Sequence, residues 1–301
     1  GIETRLVNID RDLLVIPSLA IHMNRGVNEG FAPNRAVDLC PLISAGDLKQ
    51  GDFDALIADE LDVEPEQILG RDLFLVNRQD ARIWGWADEF ISTPKLDDLA
   101  CAYTSLQAFL GAENAHDVSV FCGFDNEEVG SETKQGAASA FLPETLTAIT
   151  TALGLTSGDY RRLVANSFLL SCDNGHARHP NHPELADANE APVLNGGVVV
   201  KHSPRYATDA VSAAAFQEIC RRAQVPTQHY ANRPDQAGGA TLGNIANTKL
   251  PVNTVDIGMA QLAMHSCFET MGSRDVAHFV RAVTACYEAA LTFTDTQVTL
   301  G

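Results

Sequence analysis

The sequence predicts an α/β fold in which a mainly parallel central sheet is sandwiched by helices. Three observations carry that expectation. From Pro94 onward, strand-like and helix-like patterns alternate along the chain. The strand-like runs are short and continuously apolar, and the helical stretches gather their apolar residues on one face. With 301 residues, 45% hydrophobic and 20% charged, the chain is long enough to bury a sizeable core.

The elements follow in order. Before residue 90, the runs RLVNI, LLVIP, LAIH, DLFLV and RIWGWA are separated by turn formers and read as short strands. A helical patch covers 54–69. Residues 98–110 place Leu99, Ala102, Tyr103, Leu106, Phe109 and Leu110 on one helical face. Strands are expected over 118–124, 167–172, 197–200 and 254–257. Helices are expected over 143–153, 157–166, 209–223 and 274–291, the last capped by Ser273. The change of texture divides the chain into a β-rich region, 1–90, and an α/β region, 91–301.

Bulk composition excludes some functions. The 39 acidic against 21 basic residues give a formal charge of −18. Nucleic acid and anionic membrane both need a positive face, so neither is an expected partner. No apolar run approaches the roughly 20 residues that span a bilayer. The seven cysteines form no CxxC pair, and several lie in apolar runs such as SVFCGF and FLLSCD. They read as reduced, buried thiols in a cytoplasmic setting. The chain opens on Gly and moves directly into RLVNI, as if it started inside a longer gene product.

Candidate chemistry lies after strand-like runs or at loop junctions. Asp97 stands in STPKLDDLA, Glu127 and Glu128 in FCGFDNEEVGS, Asp173 in FLLSCDNGH, and His265 in QLAMHSCFE. In open α/β sheets ligands collect beyond the carboxyl ends of strands. Carboxylates mixed with imidazole suit zinc, manganese or cobalt better than calcium or magnesium. Each residue also has a plainer reading. Adjacent acidic pairs occur at Asp59–Glu60, Asp88–Glu89 and Asp97–Asp98 as well, so Glu127–Glu128 carries no signal alone. Asp97 could cap the following helix, and a lone histidine such as His265 is more often a hydrogen-bonded core residue. His176, His179 and His182 form HARHPNH, but Pro180 breaks any helix that would align them. No GxxxxGK[ST], HExxH or GxSxG is present, and GGATLG lacks the GxGxxG spacing. Gly238, Gly239 and Gly243 predict a tight loop with close backbone approach.

Taken together, PSLAIHMNR, FISTPKLDDLACAY, FDNEEVGSETKQGA, SFLLSCDNGHARHPNHPE, LNGGVVVKHSPRYAT and VDIGMAQLAMHSCFE resemble the aspartyl aminopeptidase family of co-catalytic zinc peptidases. The resemblance runs in the family's order across nearly the whole chain. It implies hydrolysis of the N-terminal residue of peptides, favouring Asp or Glu. It also implies two divalent ions, zinc first, with manganese or cobalt as alternatives. Asp97 would bridge them, Glu128 and His265 would complete one site, and Asp173 would serve the other. Glu127 would act as general base on a water held between the metals. His176, Lys201 and Tyr206 would line the substrate pocket. Residues 1–90 would form a dimerisation domain whose His22 reaches a neighbouring subunit's site, with dimers assembling into a dodecamer. The family's AHxD-type segment, whose His would hold the second metal, falls upstream of Gly1. The stretch from Lys201 to Tyr206 is two residues shorter than the family shows. A broad-specificity metallo-aminopeptidase and a catalytically silent assembly subunit are the rival expectations.

Overall fold

The structure, a computed structural model, describes residues 1–294 and 297–301. The chain divides into two units, Gly1–Arg78 and Gln79–Gly301.

In the first unit, helix α1 (Asp52–Leu61) starts after Gly51, whose φ of 99° suits glycine, and carries Asp52 and Asp54 in its first turn. Those carboxylates complement the positive end of the helix dipole. Ile57 and Ala58 are the buried residues of α1. The expected helix over 54–69 is shorter, because Asp62 turns left-handed and only a 3-10 turn, Pro65–Gln67, follows. The strands expected before residue 78 do not form among the described residues. One isolated antiparallel bridge, Val15 to Leu42, is present instead. Apolar runs there find no ladder partner, and a strand without a partner leaves its backbone groups to water.

The second unit opens with β1 (Arg82–Trp84), β2 (Phe90–Thr93) and helix α2 (Leu96–Gly111). Helices α3 (Phe141–Ala152) and α4 (Ser157–Ala165) lead to β3 (Phe168–Cys172), β4 (Gly175–His176) and β5 (Val198–His202). Then come α5 (Ala210–Arg222), β6 (Thr227–Ala231), α6 (Leu242–Asn247), β7 (Asn253–Gly258), β8 (Ala260–Leu262) and β9 (Glu269–Gly272). Helix α7 (Ser273–Glu288) and the hairpin β10 (Leu291–Phe293) and β11 (Val298–Leu300) close the chain.

Two sheets result. The four-stranded sheet runs β3-β7-β5-β6, with β3–β7 and β5–β6 parallel and β5–β7 antiparallel. The five-stranded sheet runs β1-β2-β9-β8-β4 and is antiparallel apart from β4–β8. Alternation along β3 explains how helices flank the four-stranded sheet. Phe168 and Leu170 pack against a core with Cys101 of α2, Phe216 of α5 and Phe279 of α7, whereas Leu169 packs with Leu142 of α3 and Val164 of α4. The α/β class with helices flanking the sheets is therefore the observed fold. The division falls before residue 90 because β1 and β2 pair onward to β9 and so belong to the second unit.

Two further expectations are corrected. No strand forms over 118–124: Val118 and Val120 are exposed, and Cys122 and Phe124 pack against the α3–α4 cluster without a ladder partner. Ser273 does not cap α7. It is the first residue of that helix, and its hydroxyl donates to the Asp88 carbonyl at 2.7 Å. Among the described residues no helix is long and apolar enough to cross a membrane.

Candidate metal centre

Asp97 and Asp173 follow strands of the two sheets, whereas Glu127, Glu128 and His265 are carried on turns. Asp173 follows β3, and its N–H donates to Ile257 of β7. Gly258 makes room for it, because a Cβ there would collide with the Asp173 carbonyl. Asp97 follows β2 at the start of α2, where it and Asp98 keep non-helical dihedrals and are joined by a cis peptide. Glu127 and Glu128 sit on a 3-10 turn, 127–129, entered through left-handed Asn126. His265, at φ 65°, lies on the turn between β8 and β9.

Four of these five side chains, joined by Asp98, form two groups that share Asp97. Asp97, Glu128 and His265 place one possible ligand atom each within 4.8 Å of one another, and so do Asp97, Asp98 and Asp173. In the first group His265 Nε2 lies 3.0 Å from both Asp97 Oδ2 and Glu128 Oε2. In the second, Asp173 Oδ2 accepts from Lys201 Nζ at 3.0 Å and from the Thr241 hydroxyl at 2.8 Å.

The electrostatics follow from crowding. Burial first, and then the charges of Asp173 and Glu128, push the Asp97 carboxyl up to about 8. Burial, Asp173 and Glu128 likewise hold Glu127 at about 7, against the opposing pull of Lys201 and His265. Burial, Asp173 and Asp97 raise Asp98 well above the usual carboxylate range. Asp173 moves the other way. Burial alone would raise it, but the Lys201 ammonium and the bonds from Lys201 and Thr241 carry it below its ordinary value. An ionised carboxylate is an acceptor only, so each further ionised carboxylate beside it adds repulsion. Asp97 Oδ1 is buried with no hydrogen-bond partner. An orphaned oxygen among crowded carboxylates, with an imidazole at the rim, fits a divalent cation of the zinc type.

The remaining predicted residues are placed as follows. Lys201, in β5, is 1% exposed. Its ammonium bonds Asp173 and the Asn174 carbonyl, and lies 5.3 Å from the centre of the Tyr206 ring. His176 ends β4 and packs edge-on against Tyr230. With His179 and His182 it lines a cavity of about 280 Å³. His179 and His182 share no metal-sized cluster among the described residues. His22 is exposed on a turn of the first unit.

Several supporting residues were not anticipated. Asn174 is buried and ties the site together: its side chain donates to Leu96 and Gln261, accepts from Cys101, and its N–H donates to Asp98. Thr241 lies in GGATLG, the loop expected to approach backbone closely. A Cβ at Gly243 would collide with Asp256 and Ser171. Glu269 accepts from the N–H groups of both Asp97 and His265. It ends the quoted run MAQLAMHSCFE, but nothing in its spacing signals a backbone contact.

The sequence profile of the aminopeptidase I zinc metalloproteases (M18) matches residues 1–287. A probable M18 family aminopeptidase 2 of Clostridium acetobutylicum is 44% identical over 278 residues, covering 91% of this chain. The chain spans 64% of that relative's length. Among solved structures, one described as the Ape4 and Nbr1 complex superposes with TM-score 0.85 at 31% identity, covering 93% of this chain and 58% of that one. Another, the S. cerevesiae mApe1 dodecamer, gives TM-score 0.73 at 27% identity over 91% of this chain and 62% of its own. On a profile match that runs almost end to end, this chain belongs to the M18 family of aminopeptidase I zinc metalloproteases.

Proposed function

We propose that this chain carries the reacting centre of a dinuclear metallo-aminopeptidase that removes N-terminal residues, favouring Asp or Glu. The observation that carries the reading is the Asp97 carboxylate, shared by two groups of possible ligands and holding a buried oxygen with no partner. Asp97 would bridge, Glu128 and His265 would hold one ion, and Asp173 would hold the other. Bound there, two divalent ions, zinc before manganese or cobalt, would supply Lewis acidity that polarises the scissile carbonyl and makes water a stronger acid.

The chain's own residues then have distinct tasks. Glu127, next to the ligand Glu128, takes the proton of the attacking water and returns it to the leaving amine. Its position at about 7 in the metal-free chain suits a group that gains and loses a proton near neutrality. His176 and Tyr206 line the substrate pocket. His22 acts from a neighbouring copy, donating to the carbonyl oxygen as it gains charge. Lys201 would read an acidic side chain. Two of its three N–H groups are engaged by Asp173 and Asn174, so the substrate would have to share the third. The dodecameric S. cerevesiae relative supports a homo-oligomer. Cys101 and Cys220 are buried, and a cytoplasmic setting suits buried thiols of this kind.

The test uses the whole protein, with its metal content measured and a panel of tripeptides beginning with Asp, Glu, Ala or Leu. The reading expects stepwise release of the first residue, fastest for Asp and Glu. Equal rates across the panel would instead favour a broad-specificity enzyme. Bound metal without turnover of any peptide would favour a silent assembly subunit.

A further inference from the structure

We infer that Glu269 is the positioning residue of the metal centre, holding the backbone of two ligands with the two oxygens of one carboxylate. The inference rests on the metal-centre reading above. Glu269 Oε2 accepts from the Asp97 N–H at 2.9 Å, and Oε1 accepts from the His265 N–H at 2.7 Å. Asp97 is 172 positions away in sequence and His265 only four. One side chain therefore couples the bridging ligand to the imidazole ligand of the exposed group.

The backbone explains why such a clamp is needed. Asp97 has φ −88° and ψ 110° within a stretch otherwise helical, and His265 has φ 65°. Neither N–H can join a helix or a ladder, and a buried N–H without an acceptor costs about as much as a lost hydrogen bond. Register supplies the acceptor. Glu269 opens β9 directly opposite Thr93 of β2, the strand that runs into Asp97. The carboxylate is thus fixed beneath both ligands by the same sheet that delivers them.

The choice of Glu carries chemical information. Both partners are donors, so both side-chain atoms must be acceptors. An ionised carboxylate offers two, whereas a carboxamide offers one and points an NH₂ at the other N–H. Glu269 is 2% exposed, has no ion pair among the described residues, and lies close enough to add its charge to that on Asp97. Glu269 therefore orients the two ligands through their backbone N–H groups.

The experiment compares Glu269→Gln and Glu269→Ala with the unaltered whole protein. Zinc affinity is read by competition with a chromophoric chelator, and ligand geometry by the visible spectrum of the cobalt-loaded protein. Hydrogen exchange of the Asp97 and His265 amides is followed in the metal-free state. Zinc affinity is expected to fall about 10- to 100-fold in the Ala variant, the usual scale for residues that orient ligands. The Gln variant should fall between the two. The cobalt spectrum should change, and both amides should exchange at least tenfold faster while those of β7 keep their protection. A purely folding role would lower the melting temperature without moving the spectrum of the protein that remains folded. Unchanged zinc affinity in both variants would overturn the inference, as would unchanged protection of the two amides. If the Ala variant does not fold, the Gln variant decides by the same criteria. Failure of the unaltered protein itself to bind zinc would sink the metal-centre reading and this inference with it. Tight zinc binding that ignores Glu269 would sink this inference alone.

Discussion

The two sides of Asp97 are built differently. On the outer side, His265 and Glu128 have side chains 63% and 50% exposed, and the imidazole lies 3.0 Å from both Asp97 and Glu128. On the inner side, Asp173 is 14% exposed and is gripped by Lys201 and Thr241. The outer group depends on turns held from behind by Glu269, whereas the inner group is anchored in the core of the four-stranded sheet. The contrast suggests a division of labour. The inner side is buried and already contains a cation, Lys201, while the outer side gathers its ligands at the surface. Asp97, with one oxygen satisfied by His265 and the other orphaned, joins them.

If Asp97 serves both sides, Asp97→Ala should empty both. Bound metal should drop from two per chain to none, and turnover to the uncatalysed level. Elemental analysis that still found two metals per chain would break the comparison at its centre. Glu127→Gln removes the proton acceptor but neither side's ligands. Turnover should fall by about two to four orders of magnitude with both metals retained. Retention of a third of normal activity would remove Glu127 from the chemistry.

How much of this was legible in the sequence depends on what each residue touches. Strand β5 was readable because it is buried along most of its length, which leaves the apolar run Val198, Val199 and Val200. The runs before residue 78 have the same composition but no ladder partners, and Leu6, Leu19 and Phe74 stay exposed. Composition records a strand's capacity to be buried, and only the fold supplies the neighbour. Asp97, Glu128, Asp173 and His265 were named from the quoted motifs, and the structure brings these four side chains together around Asp97. Glu269, Asn174 and Thr241 were not, because each acts through a hydrogen bond to a residue distant in sequence. No spacing rule reports such contacts.

The asymmetry itself is open to test. His265→Ala should cost the outer metal alone, halving the bound metal; loss of both would mean that the two sides are not separable. Lys201→Met attacks the inner side. Removing one partner of a buried ion pair costs about 3–5 kcal/mol, so the metal-free protein should melt lower. Zinc should restore much of that loss, because a second cation then faces Asp173. Equal destabilisation with and without zinc would show that Lys201 serves packing rather than Asp173. The same variant should lose cleavage of Asp- and Glu-initiated peptides more than of Ala- or Leu-initiated ones if its third N–H reads the substrate.

A smaller effect follows from protons. Asp97, at about 8, and Glu127, at about 7, both lie above the ordinary carboxylate range. The folded metal-free chain therefore binds more protons than the unfolded one between about pH 4 and 8. Their contribution to stability is full below pH 4 and is lost as pH rises through 7 and 8. Bound metal must displace those protons, so zinc affinity should climb over the same interval. Asp97→Asn should flatten the fall in melting temperature of the metal-free protein. An unchanged slope would assign that fall to other groups.

The most direct measurement is anomalous scattering at the zinc edge from crystals of the whole protein, grown with zinc. The expected result is two peaks on either side of the Asp97 carboxylate, one beside Glu128 and His265 and one beside Asp173, with both missing in Asp97→Ala. No peak at Asp97, or a single peak that survives Asp97→Ala, would contradict a shared bridging carboxylate.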